Sequence, residues 1–589
     1  MALFTLKSLN LISSNKRVVS AWYFLVISIF VLFVFFPTVY VLVYAFTRVD
    51  VITSFVIGDP TRLWIVIKAV ALSFAISLTV TAIDLIFGLV IAWVIAKKDF
   101  RGKTLVNTLI ESPLSIPTAG LGFSVALFWA VTPGITNPPF GALQFIRDPF
   151  FLIILFHFTT TFPYVVRSLT EILEEIDSSY EIAALTCGAN KLTAARTITL
   201  PMFRSGIATA ATLVMAKSLS DTGGVVSLLT TLKGSKLVET DTIQGTALID
   251  IWKGLTKPSA GLSPSQVMEY EAALAFVAFL MIFLALVVMF LIRRSINSFK
   301  TPKQLTFPHL ERRISKGLYV HFRNAISMSF LTLMVFVPSF FILSYIVSHP
   351  IPTEVAWGEF FDSIFNSFLV ASVATIINVV LGVPIAVYIT RKAGPRLSSI
   401  LDSIIDIPYL VPSAAVGISV FLFWKSDLSP LHILNLPDIV LVIFAHMAMT
   451  FPFITRNVIG GLEDFDVSIE ETARTLGARP LQVFRGVTLP SIVGSILAGA
   501  VMGFTRSVGE TGATLAVSSL QTAPVYIVNQ IKVEQNYVLA AVATLLLTLV
   551  GYVFIWGTKI LLNYSVIRKD IQKVRNSLRE WRRARITDI

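Results

Sequence analysis

The stretch Ser178-Ser-Tyr-Glu-Ile-Ala-Ala-Leu-Thr-Cys-Gly188, with Ile198-Thr-Leu-Pro201 after nine further residues, decides how this chain is interpreted. A copy follows in the second half, as Ser468-Ile-Glu-Glu-Thr-Ala-Arg-Thr-Leu-Gly477 and then Val487-Thr-Leu-Pro490. Both copies are polar, although apolar segments flank them. Each predicts a short helix, a turn at the glycine and a second short helix that ends before the proline.

The composition places most of the chain in lipid. Of its 589 residues, 55% are hydrophobic and 14% are charged, and the mean hydropathy is +0.78. Soluble domains carry about 25% charged residues, and disordered chains combine low hydrophobicity with high charge, so both classes are excluded. The single cysteine, Cys187, excludes an intramolecular disulfide and a cysteine-based metal cluster.

Twelve apolar segments are long enough to cross a bilayer as helices, because about 20 apolar residues span the hydrocarbon core. The first is too long for the core of a signal peptide, so we expect it to remain as a spanning helix. The segments are 21–46, 65–96, 105–131, 150–166, 205–228, 270–292, 325–347, 363–390, 401–424, 437–455, 491–515 and 536–562.

The two halves of the chain repeat each other. The offset is 289 residues from Asp221 to Glu510 and 295 residues from Pro117 to Pro412. Six segments per copy make the copies parallel rather than inverted. We therefore expect an all-α polytopic membrane protein with 12 transmembrane helices in two parallel six-helix repeats. The expected boundaries are 1–298 for the first repeat, 299–324 for a basic cytoplasmic linker, 325–567 for the second repeat and 568–589 for a basic cytoplasmic tail.

The excess of basic residues, 47 Lys and Arg against 35 Asp and Glu, follows the membrane topology. Basic residues favour cytoplasmic loops, and a cytoplasmic N-terminus puts the linker and the tail on that side. We therefore expect both termini in the cytoplasm, and the charge requires no nucleic-acid partner. The loops 167–204 and 456–490, called the first and second polar loop below, are then cytoplasmic too.

The two polar loops resemble those of the integral-membrane subunits of ATP-binding cassette (ABC) importers. The family signature is a Glu-Ala-Ala block, a glycine, nine residues, Ile, one residue and Leu-Pro. Both copies keep this pattern from the glycine onward, with Val487 for Ile in the second. They depart at the front, with Ile182 where Glu471 stands and Thr472 for the first alanine. The stretches at 220–224 and 509–514 resemble those of the iron(III), thiamine, sulfate/molybdate and polyamine branch of the type I permeases.

This resemblance implies a fused permease in the cell membrane of a prokaryote, without catalytic residues of its own. It implies two partners besides the lipid bilayer: a cytosolic ABC ATPase dimer that binds ATP and Mg²⁺, and an extracytoplasmic substrate-binding protein. The chain would pass a small solute, iron(III) or another small ion or metabolite, to the cytoplasm by alternating access. In the family the polar loop is the coupling helix that docks on the ATPase. That role falls here on Glu181, Ala183, Ala184, Gly188, Pro201, Glu470, Glu471, Ala473, Gly477 and Pro490.

The chain itself has no nucleotide-binding loop. Gly102-Lys103-Thr104 is the nearest match to a phosphate-binding loop, but Lys97 stands where that motif requires its first glycine. We therefore expect no cofactor in this chain, and ATP hydrolysis is expected on the partner subunit.

Polar residues within the apolar segments are the candidates for a substrate path. Asp221 and Glu510 each follow a base, Lys217 or Arg506, by four residues, so each acid either pairs with its base or faces the path. Paired prolines predict breaks in segments three and nine, where freed polar groups would line a route. The path candidates are Ser115, Thr118, Ser124, Ser220, Asp221, Thr222, Ser413, Ser419, Glu510 and Thr511.

Other polar residues in the segments favour packing roles. Asp84 and its counterpart Asn378 predict an interhelical hydrogen bond, and His157 and His446 are expected to be packing residues rather than metal ligands. No metal site is expected. One alternative stays open for the whole chain: a 12-span secondary transporter of the major facilitator type, driven by an ion gradient. The loop Lys97–Lys103 faintly resembles the basic loop between spans two and three of that class.

Overall fold

Helices form almost all of the regular structure in the computed structural model, which describes residues 15–98, 100, 102–130, 141–233, 242–298, 318–350, 356–553 and 557. Within these ranges the β-type pairing is one isolated bridge between Ala130 and Ile146. The all-α prediction is confirmed. The predicted tail 568–589 lies outside the described residues, and of the predicted linker 299–324 only the last seven residues are described, as helix.

The two halves contain the same order of helices. In the described part of the first half these are α1 (Lys16–Thr47), α2 (Pro60–Lys97), α3 (Lys103–Glu111), α4 (Thr118–Trp129), α5 (Pro149–Glu175), α6 (Ser179–Thr186), α7 (Lys191–Ala194), α8 (Leu200–Ser220), α9 (Gly223–Lys233), α10 (Gly245–Leu255) and α11 (Pro264–Ser298). One further short helix, Val49–Ile52, lies between α1 and α2.

The second half begins with a helix in three pieces, which corresponds to α1, and then repeats α2 to α11 one by one. Its described helices are α12 (Leu318–Leu331), α13 (Val337–Phe340), α14 (Ile342–Ser348), α15 (Trp357–Arg391), α16 (Pro395–Leu410), α17 (Ser413–Lys425), α18 (Asp438–Glu463), α19 (Val467–Thr475), α20 (Pro480–Val483), α21 (Leu489–Val508), α22 (Gly512–Val517), α23 (Ala523–Lys532) and α24 (Tyr537–Val553).

Seven of the described helices are long and apolar enough to cross a membrane by themselves, and up to ten spans result if each bent pair of helices counts as one. Shorter apolar helices, α4, α9 and α24, add to these. The twelve predicted spans are consistent with this arrangement. Two predicted spans, 205–228 and 491–515, do not run through as single helices, since α8 ends at Ser220 and α21 ends at Val508.

Prolines break segments three and nine, as the sequence predicted. In the second half α16 and α17 meet at an angle of 106°, with Val411 and Pro412 between them. In the first half a short 3-10 turn at Ser112–Ser115 separates α3 from α4. A proline has no backbone N–H and restricts the residue before it, so two prolines within five residues end a helix and redirect the chain.

The first helix of each half packs on the other half. Phe30 of α1 stacks on Phe451 of α18 with ring centroids 4.5 Å apart. Phe330 of α12 stacks on Phe87 of α2 at 3.9 Å and also contacts Phe158 of α5. Each half thus contributes a helix to the core of the other, and the two halves are interlocked along their length.

Candidate functional site

The first polar loop folds as a short helix, a glycine turn and a second helix. Asp177 precedes α6, and its carboxylate accepts a hydrogen bond from the backbone N–H of Ser179 at 2.9 Å. Hydrogen bonds from Ser179 lower the pKa of Asp177 below its ordinary value. Gly188 has φ +90°, a left-handed conformation that other residues adopt at a cost, and it ends α6. Asn190 then caps α7 through the backbone N–H of Thr193.

The second polar loop repeats this geometry. Asp466 caps α19 by accepting from the backbone N–H of Ser468 at 2.9 Å, and hydrogen bonds from Ser468 lower the pKa of Asp466 in the same way. Gly477 has φ +87°. The helix–glycine–helix prediction is therefore confirmed in both copies.

One part of that prediction is wrong, because the second short helix does not end before the proline. A wide turn of π type, at Ala195–Thr199 and at Phe484–Thr488, joins α7 to α8 and α20 to α21. Such a turn accommodates an extra residue in the helix, so the hydrogen bond that Pro201 and Pro490 are unable to donate is not needed. The polar loops are thus continuous with the helices that follow them.

The glutamate that opens each loop helix points inward. The carboxylate of Glu181 accepts from the hydroxyl of Thr199 at 2.8 Å and lies 3.4 Å from Nζ of Lys97 at the end of α2. The carboxylate of Glu470 accepts from Thr488 at 2.9 Å and lies 3.5 Å from Nε of Arg391 at the end of α15. These acids brace the loop against the membrane helices. The sequence analysis missed Lys97, Thr199, Arg391 and Thr488, although their matching positions in the two copies were a signal for them.

The outer face of each loop presents apolar side chains. In α6 the side chains of Tyr180, Ile182 and Leu185 are exposed, together with Ala183. In the second loop Ile469 and Leu476 are exposed, and Leu476 is 84% exposed. The second loop also exposes Glu471 and Arg474, where the first has Ile182 and Leu185. Apolar side chains clustered at the tip of a polar loop are typical of a protein interaction site.

A second group of predicted residues lies at the break between α8 and α9. Lys217 and Asp221 form an ion pair of 3.2 Å within one helical turn, and both side chains are buried. The equivalent pair, Arg506 and Glu510, is separated by 2.5 Å. Each acid therefore pairs with its base, which is one of the two alternatives that the sequence left open.

The two breaks meet between the halves. The hydroxyl of Ser413 donates to the backbone carbonyl of Ser220 at 2.7 Å. Gly223 packs against Thr511 and Gly512 packs against Thr222, so closely that a methyl group on either glycine would overlap the threonine. Six of the predicted path residues are thereby brought together: Ser220, Asp221, Thr222, Ser413, Glu510 and Thr511.

Several hydroxyl groups near this junction are buried without a hydrogen-bond partner among the described residues. They include Oγ1 of both Thr222 and Thr511, and Oγ of Ser115. Buried polar groups are normally paired, so unpaired hydroxyls in the junction between the two halves are candidates for contact with a bound solute or water. Thr118 lies nearby, in the wall of a small cavity that also contains Lys217 and Arg506.

The remaining two path candidates have a different surrounding. Ser124 donates to the carbonyl of Pro338 at 2.6 Å and accepts from the backbone N–H of Ile342 at 3.0 Å. Ser419 accepts from the backbone N–H of Val41 at 2.9 Å. Both hydroxyls thus accept from a backbone N–H that lies four residues after a proline, Pro37 or Pro338, in the first helix of the other half.

The intramembrane polar residues outside the junction bond to neighbouring helices, although Oδ1 of Asp84, Nδ1 of His157 and Oδ1 of Asn378 have no partner among the described residues. Thr161 donates to Asp84 at 2.5 Å, and Asn378 donates to the carbonyl of Met447 at 3.0 Å, which confirms the predicted interhelical hydrogen bonds. His446 contacts the hydroxyls of Ser507 and Thr514 at 2.7 and 2.9 Å. His157 contacts the amide of Gln244. In the part of the chain that the structure describes, no three His, Cys, Asp or Glu side chains are grouped as metal ligands.

The sequence matches one family model twice. Residues 84–300 and 378–563 match the model described as "Binding-protein-dependent transport system inner membrane component". The matched ranges contain both polar loops and both breaks, and together they cover more than half of the chain.

Similar curated proteins each match about a third of this chain. The molybdate/tungstate transport system permease protein WtpB of Pyrococcus furiosus is 33% identical over 199 residues, which are 33% of this chain and 76% of the relative. The sulfate transport system permease protein CysT of Salmonella typhimurium is 34% identical over 182 residues, which are 28% of this chain and 65% of the relative. The sulfate transport system permease protein CysW of Synechococcus elongatus is 34% identical over 199 residues, with coverages of 32% and 68%.

Proposed function

The chain belongs to the family of binding-protein-dependent transport system inner membrane components, as a fused permease of the type I ABC importers, and we propose that it carries a small oxyanion into the cytoplasm. In this proposal an external binding protein delivers the solute. A cytosolic ATPase dimer, with ATP and Mg²⁺ bound to that partner, drives the chain between two states of alternating access.

The observation that carries this proposal is the matching construction of the two polar loops. Each loop is capped, turned at a left-handed glycine and braced by an inward glutamate, and each exposes apolar side chains at its tip. We propose that the loop helices α6 and α19 are the docking elements, one for each ATPase subunit. The second loop continues as one helix from Pro480 to Val508, and the first continues through α8 with a bend of 60° between Arg204 and Gly206. A push on either loop would therefore be transmitted to the breaks at Asp221 and Glu510.

The structure suggests a division of roles among the residues assigned to coupling. Ala183 and Ala184 on α6, and Ala473 on α19, lie on the loop helices that would enter an ATPase groove, as does Glu471. Glu181 and Glu470 would act indirectly, as positioning residues that hold the loop. Gly188 and Gly477 set the turn, and Pro201 and Pro490 lie just after the wide turns that pass the motion to the membrane.

The choice of solute rests on the relatives. Those described above are named for sulfate and for molybdate/tungstate, which are tetrahedral anions with two negative charges. Iron(III), which the sequence analysis named first, has no support from these relatives. The orientation with cytoplasmic termini, in a prokaryotic cell membrane, remains part of the proposal and rests on the distribution of Lys and Arg.

Transport assays with glycine variants test the docking role. Gly188→Val and Gly477→Val together force a side chain into the left-handed region, at a cost of roughly 1–2 kcal/mol each, and should distort both loop tips. Proteoliposomes that contain the chain, its ATPase and its binding protein should then lose ATP-driven sulfate or molybdate uptake. Gly358→Val is the matched control, because Gly358 has an ordinary φ and open space around it.

Two results would contradict the proposal. Uptake that persists in the double glycine variant would remove the coupling role from the loops. Uptake driven by a proton gradient in proteoliposomes without any ATPase would favour the major facilitator alternative. No observation in the described residues supports that alternative.

A further inference from the structure

A small cavity lies where the two halves meet, one helical turn before the breaks. Its walls come from the turn between α3 and α4 and from α4, α5 and α8 of the first half, and from the end of α21 in the second. Its polar wall residues are Thr118, Thr160, Tyr164, Lys217, Thr505 and Arg506.

The charged residues in this wall are the two bases and not the two acids. Lys217 and Arg506 line the cavity, whereas Asp221 and Glu510 do not. The acids are held elsewhere, since the carboxylate of Glu510 also accepts from the backbone N–H of Ala513 at 3.0 Å. A cation entering the cavity would meet two positive side chains, so the geometry disfavours a cation and favours an anion.

The two bases occupy equivalent positions in the repeat, so each half contributes one of them to a single cavity. Their own acids neutralise them at rest, because Lys217 pairs with Asp221 and Arg506 pairs with Glu510. The pairs are also close enough to interact across the junction, Lys217 with Glu510 and Arg506 with Asp221. Four charges that sum to zero avoid the large cost of a net charge buried within the membrane.

The other polar wall groups are hydroxyls, which donate hydrogen bonds to an anion. Oγ1 of Thr505 is buried and has no hydrogen-bond partner among the described residues. The guanidinium of Arg506 contacts Glu510 through Nη1. A guanidinium donates through two further nitrogens in a planar fork that matches the oxygens of an oxyanion.

We propose that this cavity is a transit site for a tetrahedral oxyanion with two negative charges, such as sulfate or molybdate. Lys217 and Arg506 supply the positive charge, and the hydroxyls of Thr118, Tyr164 and Thr505 supply further donors. Asp221 and Glu510 hold the bases when the site is empty and compete with the anion for them. This inference rests on the proposed function and deepens it, because it assigns the substrate class to particular residues.

Equilibrium binding of radiolabelled sulfate and molybdate tests the site in the full chain, reconstituted in lipid nanodiscs without ATPase or binding protein. The wild-type chain should bind one of the two anions saturably. Lys217→Met and Arg506→Met should each weaken that binding about ten- to hundredfold, the range expected for the loss of one charged hydrogen-bonding partner. Lys532→Met is the matched control, because it removes an equally long base that pairs with Asp250 outside this cavity.

The variant Asp221→Asn separates this site from a merely structural ion pair. It removes the competitor of Lys217 and preserves the shape of the side chain, so it should bind the anion as tightly as the wild type or up to about tenfold more tightly. A structural pair would make Asp221→Asn and Lys217→Met equally harmful to folding, which size-exclusion chromatography and thermal unfolding would reveal. A cation site would instead lose its ligand in Asp221→Asn.

The site inference is overturned if neither anion binds the wild-type chain saturably, or if Lys217→Met and Arg506→Met bind like the wild type. Its failure is distinguishable from that of the proposed function, because the binding assay contains no ATPase. If the anions fail to bind while the glycine variants still abolish ATP-driven uptake, only the site is wrong. If the anions bind as expected while the glycine variants transport normally, only the coupling role is wrong.

Discussion

Replacement of Glu470 by Gln should loosen the second polar loop without unfolding the protein. The carboxylate of Glu470 is 4% exposed and accepts from Thr488, and it lies 3.5 Å from Arg391 and 3.6 Å from Arg474. The side chain of Arg391 is 13% exposed, whereas that of Arg474 is 56% exposed. The pair with Arg391 therefore dominates, and the pair with Arg474 is largely screened by solvent.

The magnitude lies between the values for surface and buried pairs. Exposed pairs contribute about 0–1 kcal/mol, and removal of one partner from a fully buried pair costs about 3–5 kcal/mol. Arg391 keeps a hydrogen bond to the carbonyl of Leu462 at 2.7 Å, so its charge is not left without a partner. We expect a loss of about 2 kcal/mol in local stability, which corresponds to about 30-fold faster opening of the loop.

Hydrogen exchange measured by mass spectrometry on the full chain in nanodiscs follows this opening directly. Peptides across 466–490 should exchange about 30-fold faster in Glu470→Gln, and peptides across α5 should not change. Glu181→Gln in the first loop should accelerate exchange only about fivefold, because Glu181 has one ionic partner at 3.4 Å and both side chains are partly exposed. Glu471→Gln is the matched control, since Glu471 is exposed beside Glu470.

Two outcomes would refute this reasoning. Unchanged exchange in Glu470→Gln would show that the brace does not limit opening of the loop. Equal acceleration in Glu470→Gln and Glu471→Gln would show that the effect comes from charge near the loop tip rather than from the buried contact with Arg391.

Three further variants probe the junctions between helices. Ser419→Ala should lower the free energy of unfolding by about 1–3 kcal/mol, because the buried N–H of Val41 loses its acceptor, and thermal unfolding in detergent compared with Ser399→Ala, at an exposed serine, measures this. His446→Leu should cost a similar amount, about 1–3 kcal/mol, since the hydroxyls of Ser507 and Thr514 lose their partner; an unchanged melting temperature would contradict this. Gly512→Ala should weaken the contact between the halves, because its methyl group overlaps Thr222, and cross-linking across the junction should decrease relative to Gly358→Ala.

The sequence was sufficient for the class of fold and for its repetition, because both depend on composition and spacing. Apolar length predicts spanning helices, and the recurrence of the two polar loops predicts two parallel copies. The paired prolines predicted the break before α17, which bends by 106°. These features depend on residues that are close in the sequence, so the sequence pattern is enough to predict them.

The sequence did not predict that the first helix of each half packs on the other half, or that α8 ends at Ser220. Hydropathy gives the same value to a helix that packs on its own half and to one that packs on the other half. The segment 205–228 is mostly apolar on both sides of Asp221, so its hydropathy predicted a helix that continues past this residue. Only the close approach of Gly223 and Gly512 to threonines of the opposite half shows why the chain must turn there. Such contacts are tertiary, and no spacing rule predicts them.

The orientation of the charged residues at the junction is a second feature that depends on tertiary contacts and not on sequence spacing. A base and an acid four residues apart predict an ion pair, and they favour a charge-neutral helix segment in lipid. The pattern does not determine which member of the pair faces a cavity, because that depends on the helices packed against it. Here α4, α5 and the turn before α4 surround the two bases, and the carboxylate of Glu510 bonds to the backbone N–H of Ala513 beyond the break. The acids attract attention in the sequence, but a substrate entering the cavity would meet Lys217 and Arg506 first.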